Sequence, residues 1–490
     1  MSEPRQARLR VVVAGGGLAG MAAAAALDSH CDVTLVESRR ALGGRASSFE
    51  DPESGELLDN CQHVLLGCCT NLLDLYRRLG VAGRITWHRT IHFRRADGRR
   101  HNLFGVRPVP APLNMAPAFA GFGLLTVKER FALSRAMLAM LRMGRAGRQA
   151  LADVSFGDWL KEHGQTAELV RKFYDPVLIS ALNESSLAAS AKYAIQVFQD
   201  ALLAHSAGYP MGLPNCPLEE LYRNLPCRNV RLNTRVAEMV FGGADAMPRS
   251  MALRTAQDHA APAQPRVVGV KLANGEMLAA DAVILATNHH AVQRWIPAEI
   301  AAGDGRFAQL AKLEAVPILG AHLTFDRPVM SDSHAALVDP PLQWLFRKDR
   351  EGRILHGVIS AARDWPAIPK ADALARFERQ IQTLFPRSGA KLVRGVIVIE
   401  KRATFSPLPG SDVYRPTQGP PVGGIGNLFL AGDYTKTGWP ATMEGAVRSG
   451  YLAAEAVLAG LLLQTPTPTF LRPDLPLQWP ARLLDGGCPK

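Results

Sequence analysis

Three glycines and one carboxylate carry the first chemistry in this chain. Gly15, Gly17 and Gly20 form G-x-G-x-x-G, and Glu37 follows 17 residues after Gly20. Gly15 lets the chain turn sharply. Gly17 has no Cβ, so a pyrophosphate can reach the backbone, and Gly20 lets a helix pack closely on a sheet. Leu18 and Ala19 head that helix, where free N–H groups attract phosphate oxygens. Glu37, with Ser38 beside it, offers acceptors to an adenosine ribose. These residues point to a bound dinucleotide.

A second polar cluster, Asp59, Asn60, Gln62 and His63, crowds into five positions. Its histidine has a reference pKa close to neutrality. Other suggestive groups do not add up to sites. His289-His290 has no carboxylate or cysteine nearby, and neighbours on one strand point to opposite faces, so a metal is rejected. Cys61, Cys68 and Cys69 lack a zinc spacing, and seven cysteines at irregular intervals are read as reduced thiols rather than a disulfide framework.

The elements that must position these groups are legible nearby. Val11 to Val13 reads as a buried strand, Met21 to Leu27 as a helix and Asp32 to Val36 as a second strand ending on Glu37. Further on, Asn71 to Leu79 is an amphipathic helix and Ile91 to Leu103 a hairpin about Asp97-Gly98. Met115 to Met143 has helical spacing with cations between its apolar residues, as in a membrane-facing helix pair or a core helix. A capped helix starts at Ser155. Helices over Tyr174 to Asn183 and Ser190 to Leu203 would line a cavity, with Asn183, Tyr193 and Gln196 as candidates to project into it. Asn229 to Val240 alternates like a strand pair. Val267 to Leu272 and Met277 to Ala286 flank Asn274-Gly275 as a hairpin. Phe241 to Pro265 reads as an exposed loop. Strands are expected over Ile318 to Phe325, Ala335 to Phe346, Ile354 to Ile359 and Val393 to Glu400, with a helix over Ala371 to Leu384.

The chain has 490 residues, 47% of them hydrophobic, enough for two or three cored domains. Its net charge is +12, yet it shows no nucleic-acid module, so nucleic acid is set aside. An anionic membrane surface suits a basic protein with apolar patches better. No uncharged apolar run is long enough to span a bilayer. The expected place is cytoplasmic, with peripheral contact on the inner face of the membrane. The proline-rich tail, with Thr465 to Thr469 extended, carries no chemistry.

Leu42-Gly43-Gly44-Arg45 resembles the GGR segment of the flavin amine oxidase and carotenoid desaturase superfamily. Asn427 to Gly450, reading NLFLAGDYTKTGWPATMEGAVRSG, is similar to that superfamily's terminal FAD motif. Asp59 to Gly80, reading DNCQHVLLGCCTNLLDLYRRLG, resembles within that superfamily the squalene-associated FAD-dependent dehydroxylases of hopanoid synthesis. The resemblance covers most of Arg10 to Ala459. It implies an α/β fold: a Rossmann-like, glutathione-reductase-type FAD-binding domain from 5–70, 226–295 and 425–462, and a mixed α+β substrate domain from 71–225 and 296–424. Residues 463–490 form the tail. It implies that Gly44 and Arg45 approach the FAD pyrophosphate and that Val236 meets the adenine through its backbone. It further implies that Gly432 and Asp433 meet the ribityl and pyrophosphate region. Thr442 and Met443 then start a helix facing flavin N1 and O2.

A flavin passes two electrons as hydride. No second G-x-G-x-x-G follows a strand, so either the substrate itself reduces the FAD or an external electron donor does, and the resemblance implies the external donor. The resemblance implies a hydroxysqualene substrate losing its allylic hydroxyl to give squalene. Hydroxide leaves poorly, so an acid must protonate it. His63 is the first candidate, with Asp59 to orient it or serve as the acid itself. The alternatives are a carotenoid-type desaturase, an amine oxidase with Tyr434 and Trp439 beside the flavin, and a flavin-binding scaffold among squalene-pathway enzymes.

Overall fold

The computed structural model describes residues 8–242, 265–462 and 466–486. Its central sheet is five-stranded and parallel. Across it lie Asn229–Arg231, Asp32–Val36, Arg10–Ala14, Ala282–Leu285 and Leu428–Leu430. Segments from both ends of the chain and its middle therefore complete one sheet. Both faces are covered, which is why the strands read as continuous apolar runs. Val11 and Val13 pack against the helix Leu18–Leu27 and the helix Met443–Val457. Val12 and Ala14 point the other way, toward a three-stranded antiparallel sheet of Val236–Gly242, Arg266–Leu272 and Met277–Ala279.

Two expected hairpins divide differently. The strand after Asn274-Gly275 stops at Ala279, because Asp281 accepts from the Arg10 backbone N–H at 2.9 Å and pairs with its guanidinium at 3.0 Å. The chain crosses there into the central sheet as Ala282–Leu285. Likewise Asn229–Arg231 and Val236–Gly242 belong to two sheets, with Asn233 at φ 50 in the turn between them. Residues 243–264 of the expected loop lie outside the described residues.

The second layer is a seven-stranded sheet ordered Leu392–Phe405, Ala315–Phe325, Ile354–Ile359, Trp344–Arg347, His334–Leu337, Thr90–Arg94 and Arg100–Phe104. The span Ala335 to Phe346, expected as one strand, is a hairpin broken at Asp339-Pro340-Pro341, since proline cannot continue a ladder. The helix Lys370–Leu384 covers one face through Phe377 and Ile381. The other face meets helices Val127–Gly147, Asp175–Leu182 and Ala191–Phe198. Thr126 caps the first of these with a reciprocal capping box to Glu129. Met137 and Met140 of that helix turn into the core, while Val127 and Phe131 remain exposed. No helix among the described residues is long and apolar enough to cross a membrane. The tail is pinned by Gln478, whose side-chain oxygen accepts from Ala111 and Ser206 N–H groups at 2.6 and 3.0 Å. Its described part includes a short helix, Trp479–Leu484.

Candidate active site

A cavity of about 1160 Å³ runs between the two layers. That exceeds the roughly 300–1,000 Å³ usual for one small ligand. One end is a cradle. Gly15, Gly17, Leu18, Ala19, Glu37 and Ser38 border it from the first βαβ unit, and Gly44 and Arg45 from the loop that follows. Val236, Gly432, Asp433, Thr442 and Met443 close it from later in the chain. Gly20 does not border it. Its place is behind the turn, where an added Cβ would lie 1.9 Å from the Gly15 carbonyl oxygen. Gly15 holds φ +118, open to glycine, and a Cβ on Gly17 would meet nothing nearer than 3.9 Å, so the surface there stands clear.

Local bonds set this cradle. Gly43 N–H donates to Gly16 O at 2.9 Å, drawing the GGR loop beside the glycine turn. The Glu37 carboxylate accepts from Gly16 N–H at 2.7 Å on Oε2, and from Arg39 N–H at 2.8 Å and Ser38 Oγ at 3.2 Å on Oε1. That leaves an acceptor position on Oε2 for a ribose hydroxyl. Arg45 reaches Asp433 at 2.7 Å and the Ala403 carbonyl at 2.5 Å. Burial opposes the Arg45 charge, but Asp433 and then Glu400 outweigh it and raise its pKa. The cradle thus holds a permanent cation beside a carboxylate it neutralises. Two helices also begin at the cavity, one at Leu18 and one at Met443, the latter capped by Thr442 accepting from Gly445 N–H at 3.1 Å. Helix N-termini, a fixed guanidinium and a Cβ-free turn together fit a dinucleotide pyrophosphate.

The other end is an apolar arm bordered by Leu66, Phe93, Val177, Met211, Trp344 and Val358. Asn60, Cys61, Gln62 and His63 also border the cavity, on the segment that follows the cradle's GGR loop. They lie between the strand Leu57–Asp59 and the strand Leu65–Leu66. His63 Nδ1 is 2.9 Å from Cys61 O. A carbonyl only accepts, so Nδ1 carries a hydrogen and Nε2 is the exchangeable position. Burial lowers the His63 pKa, partly countered by the Cys61 carbonyl and the Asp59 charge.

Several expected site residues sit elsewhere. Asp59 does not border the cavity and does not bond His63. Its carboxylate accepts from Ser48 Oγ at 2.8 Å, Leu218 N–H at 3.1 Å and Lys348 Nζ at 3.4 Å. The alternation of the Leu57–Asp59 strand turns it away, so it acts on His63 only through its charge. Tyr193 is drawn out of the arm to Asp412 and Arg415. Asn183 borders the cavity, but its amide is spent on Val316 O, Thr404 Oγ1 and Ala361 N–H. Tyr434 is buried outside the cavity and only Trp439 of that aromatic pair borders it. His289 and His290 lie on the helix His289–Trp295, not on a strand, with ring centroids 4.1 Å apart.

Sequence reasoning missed Glu444 and Lys348. Glu444 is fully buried at the cavity wall and accepts from Asn71 and Leu72 N–H groups at 3.2 and 2.8 Å. An acid in the first turn of the helix after Thr442 was its visible signal. Lys348 reaches Asp59 across 289 residues, with no local signal.

Residues 18–458 match the family of flavin containing amine oxidoreductases. The chain belongs to this family. As an amine-oxidoreductase-family flavoenzyme it takes FAD, a dinucleotide whose pyrophosphate the cradle fits. Over 481 residues it is 27% identical to the 15-cis-phytoene desaturase of Synechococcus elongatus, covering 92% of this chain and 96% of that one. It is 26% identical to the zeta-carotene desaturase of Zea mays, covering 91% and 83%. Its fold is like that of cyclohexylamine oxidase from Brevibacterium oxydans, with a TM-score of 0.63 at 18% identity over 93% of this chain and 100% of that one. The chain is a flavin oxidoreductase of the carotenoid desaturase superfamily.

Proposed function

We propose that this flavoenzyme removes the hydroxyl of hydroxysqualene, giving squalene and water. One observation carries the reading: a single cavity joins the FAD cradle to an apolar arm and is also bordered by a polar segment centred on His63. A long hydrocarbon with one oxygen matches that division. FAD in its reduced form supplies a hydride to carbon. The chain must supply the proton that lets water leave, so that alcohol, proton and hydride become hydrocarbon and water. His63 Nε2 is the proton position, with Asp59 biasing its charge from behind. An external donor returns the electrons. In this reading the domains follow the 5–70, 226–295 and 425–462 division for FAD, with 71–225 and 296–424 for substrate. The exposed Val127 and Phe131, beside Lys128 and Arg130, rest on an anionic membrane from which the lipid enters.

The identity to phytoene and zeta-carotene desaturases favours a second reading, oxidation of a long polyene in the same arm. Under it the His63 segment meets no substrate oxygen. Anaerobic single turnover separates them. Chemically reduced protein is mixed with hydroxysqualene while flavin absorbance and product are followed. Flavin reoxidation matched by squalene is expected. No squalene, with a coloured product from phytoene and oxidised protein, establishes the second reading instead.

A further inference from the structure

The helix Ala191–Phe198 runs directly into a π-helical turn, Gln199–Leu203, and the cavity borders both through Gln196, Val197, Asp200 and Ala201. The helix on the neighbouring wall, Asp175–Leu182, is likewise entered through a π-helical turn, Val170–Tyr174. Such turns are rare and occur frequently at functional sites. Asp200 is not available, since Arg145 holds one oxygen at 2.9 Å and Arg148 the other at 3.3 Å. Gln199 is committed as well, through the Met140 and Gly144 carbonyls and Arg148. Gln196 is different. It is 2% exposed, among Ile195, Val197 and Phe198, and neither its amide oxygen nor its amide nitrogen has a hydrogen-bond partner. Among the described residues bordering the cavity, the Thr287 hydroxyl is also buried and unmet, but it stands beside Gly15 and Gly432 at the cradle end, and no side chain other than Gln196 leaves two buried polar atoms unmet.

An amide kept in that state is costly unless something arrives to bond it. We propose that Gln196 is the hydroxyl-recognising residue of the apolar arm: its Oε1 accepts the hydroxyl hydrogen and its Nε2–H donates to the hydroxyl oxygen. The proposal rests on the reading of the substrate as an isoprenoid alcohol. It assigns the choice between alcohol and hydrocarbon to this one side chain. An alcohol satisfies both amide atoms, whereas a hydrocarbon of the same skeleton leaves them buried and unmet. Sites built to bond a substrate hydroxyl reject its absence far more strongly than apolar pockets reject a methylene.

The test compares oxidised holoenzyme with Gln196→Met, which keeps side-chain length and volume. Each is titrated in detergent micelles with hydroxysqualene and with squalene, followed by the shift in flavin absorbance, and each is melted without ligand. The expected results are a preference of the native protein for the alcohol and a loss of that preference by roughly tenfold to a hundredfold in Gln196→Met. Squalene binding is unchanged or tighter, and the melting temperature of the ligand-free variant is equal or higher. A structural glutamine would instead lower it. Native preference retained in Gln196→Met overturns the proposal, and single turnover to squalene by the same native sample shows that the dehydroxylation reading survives. A native protein that binds both lipids equally and makes no squalene overturns the two together.

Discussion

Substituting Gly450 by alanine tests the convergence of distant segments on the cradle without touching a cofactor-binding atom. Gly450 lies mid-way along Met443–Val457, where this helix crosses Leu18–Leu27. A Cβ there would lie 2.1 Å from the Ala19 carbonyl oxygen and 2.8 Å from Ala22 Cβ. Carbon and oxygen rest no closer than about 3.3 Å, so the helices must part by roughly 1 Å. Ala22 and Ala23 have no side chain to swing aside, so the backbone has to move. Overpacking of this kind costs about 1–3 kcal/mol, offset by up to about 1 kcal/mol from replacing a mid-helix glycine. Both helices begin at the cavity, so their separation spoils the spacing of two N-termini around one anion. With up to about 1–2 kcal/mol at stake for each terminus, FAD affinity should fall roughly tenfold to a hundredfold. Flavin-to-protein absorbance after dialysis, a fluorescence titration with FAD and a thermal melt read the three effects. Gly83→Ala is the control, because a Cβ at that position meets nothing within 4 Å. Native FAD affinity and native melting temperature in Gly450→Ala would refute the direct backbone crossing.

Other expectations follow from single residues. His63→Ala should keep FAD yet slow single turnover by about 10²-fold or more. Burial holds the His63 pKa down, and an acid must be protonated, so native turnover should rise as pH falls below about 6.5. Asp59→Asn should push that limb to still lower pH, and a profile unchanged by either variant removes both from the proton step. Glu444→Ala strips the acceptor from two backbone N–H groups at the start of the helix Thr70–Arg78, with a loss of about 2–4 kcal/mol of stability read as a lower urea midpoint at constant m. Glu444→Gln, which keeps one acceptor, should lose less. His334 is fully buried, and burial together with His88 and His92 pulls its pKa down to about 3. Its contribution is therefore complete above about 6.5 and is lost as pH falls toward 3. His334→Gln should flatten the acid side of the stability curve by up to about 1.4 kcal/mol per pH unit, one proton's worth, whatever it does to absolute stability.

The cradle was legible because its signals are local. G-x-G-x-x-G needs only Gly15 to Gly20 to state its geometry, and the positive φ of Gly15 and the collision that a Cβ on Gly20 would cause are properties of that turn. Thr442 as a cap is likewise written in three residues. Strand partners were not legible. Arg10 and Asp281 lie 271 positions apart, and nothing near Met277 announces that the chain must leave its hairpin at Ala279 to enter another sheet.

The proposed proton donor shows the same divide inside one segment. Asp59 and His63 are close in sequence and chemically suited to each other, so pairing them was reasonable from residue types alone. Period-two alternation and three long-range partners decided otherwise. Ser48 comes from the facing strand, Leu218 from a turn after the substrate helices and Lys348 from the far sheet, and together they hold the Asp59 carboxylate away from the cavity. What remains for His63 is a charge acting through the strand and a carbonyl that fixes its tautomer. A buried, tautomer-locked imidazole with a depressed pKa is a poor resting acid and becomes one when substrate oxygen and developing positive charge at carbon alter its surroundings. That ties acid strength to occupancy of the arm, so squalene bound in place of hydroxysqualene should leave the His63 titration where it stands in the free protein. An NMR titration of the ring against pH in both complexes measures this, and an equal shift in the two would place the control of acidity outside the substrate's oxygen.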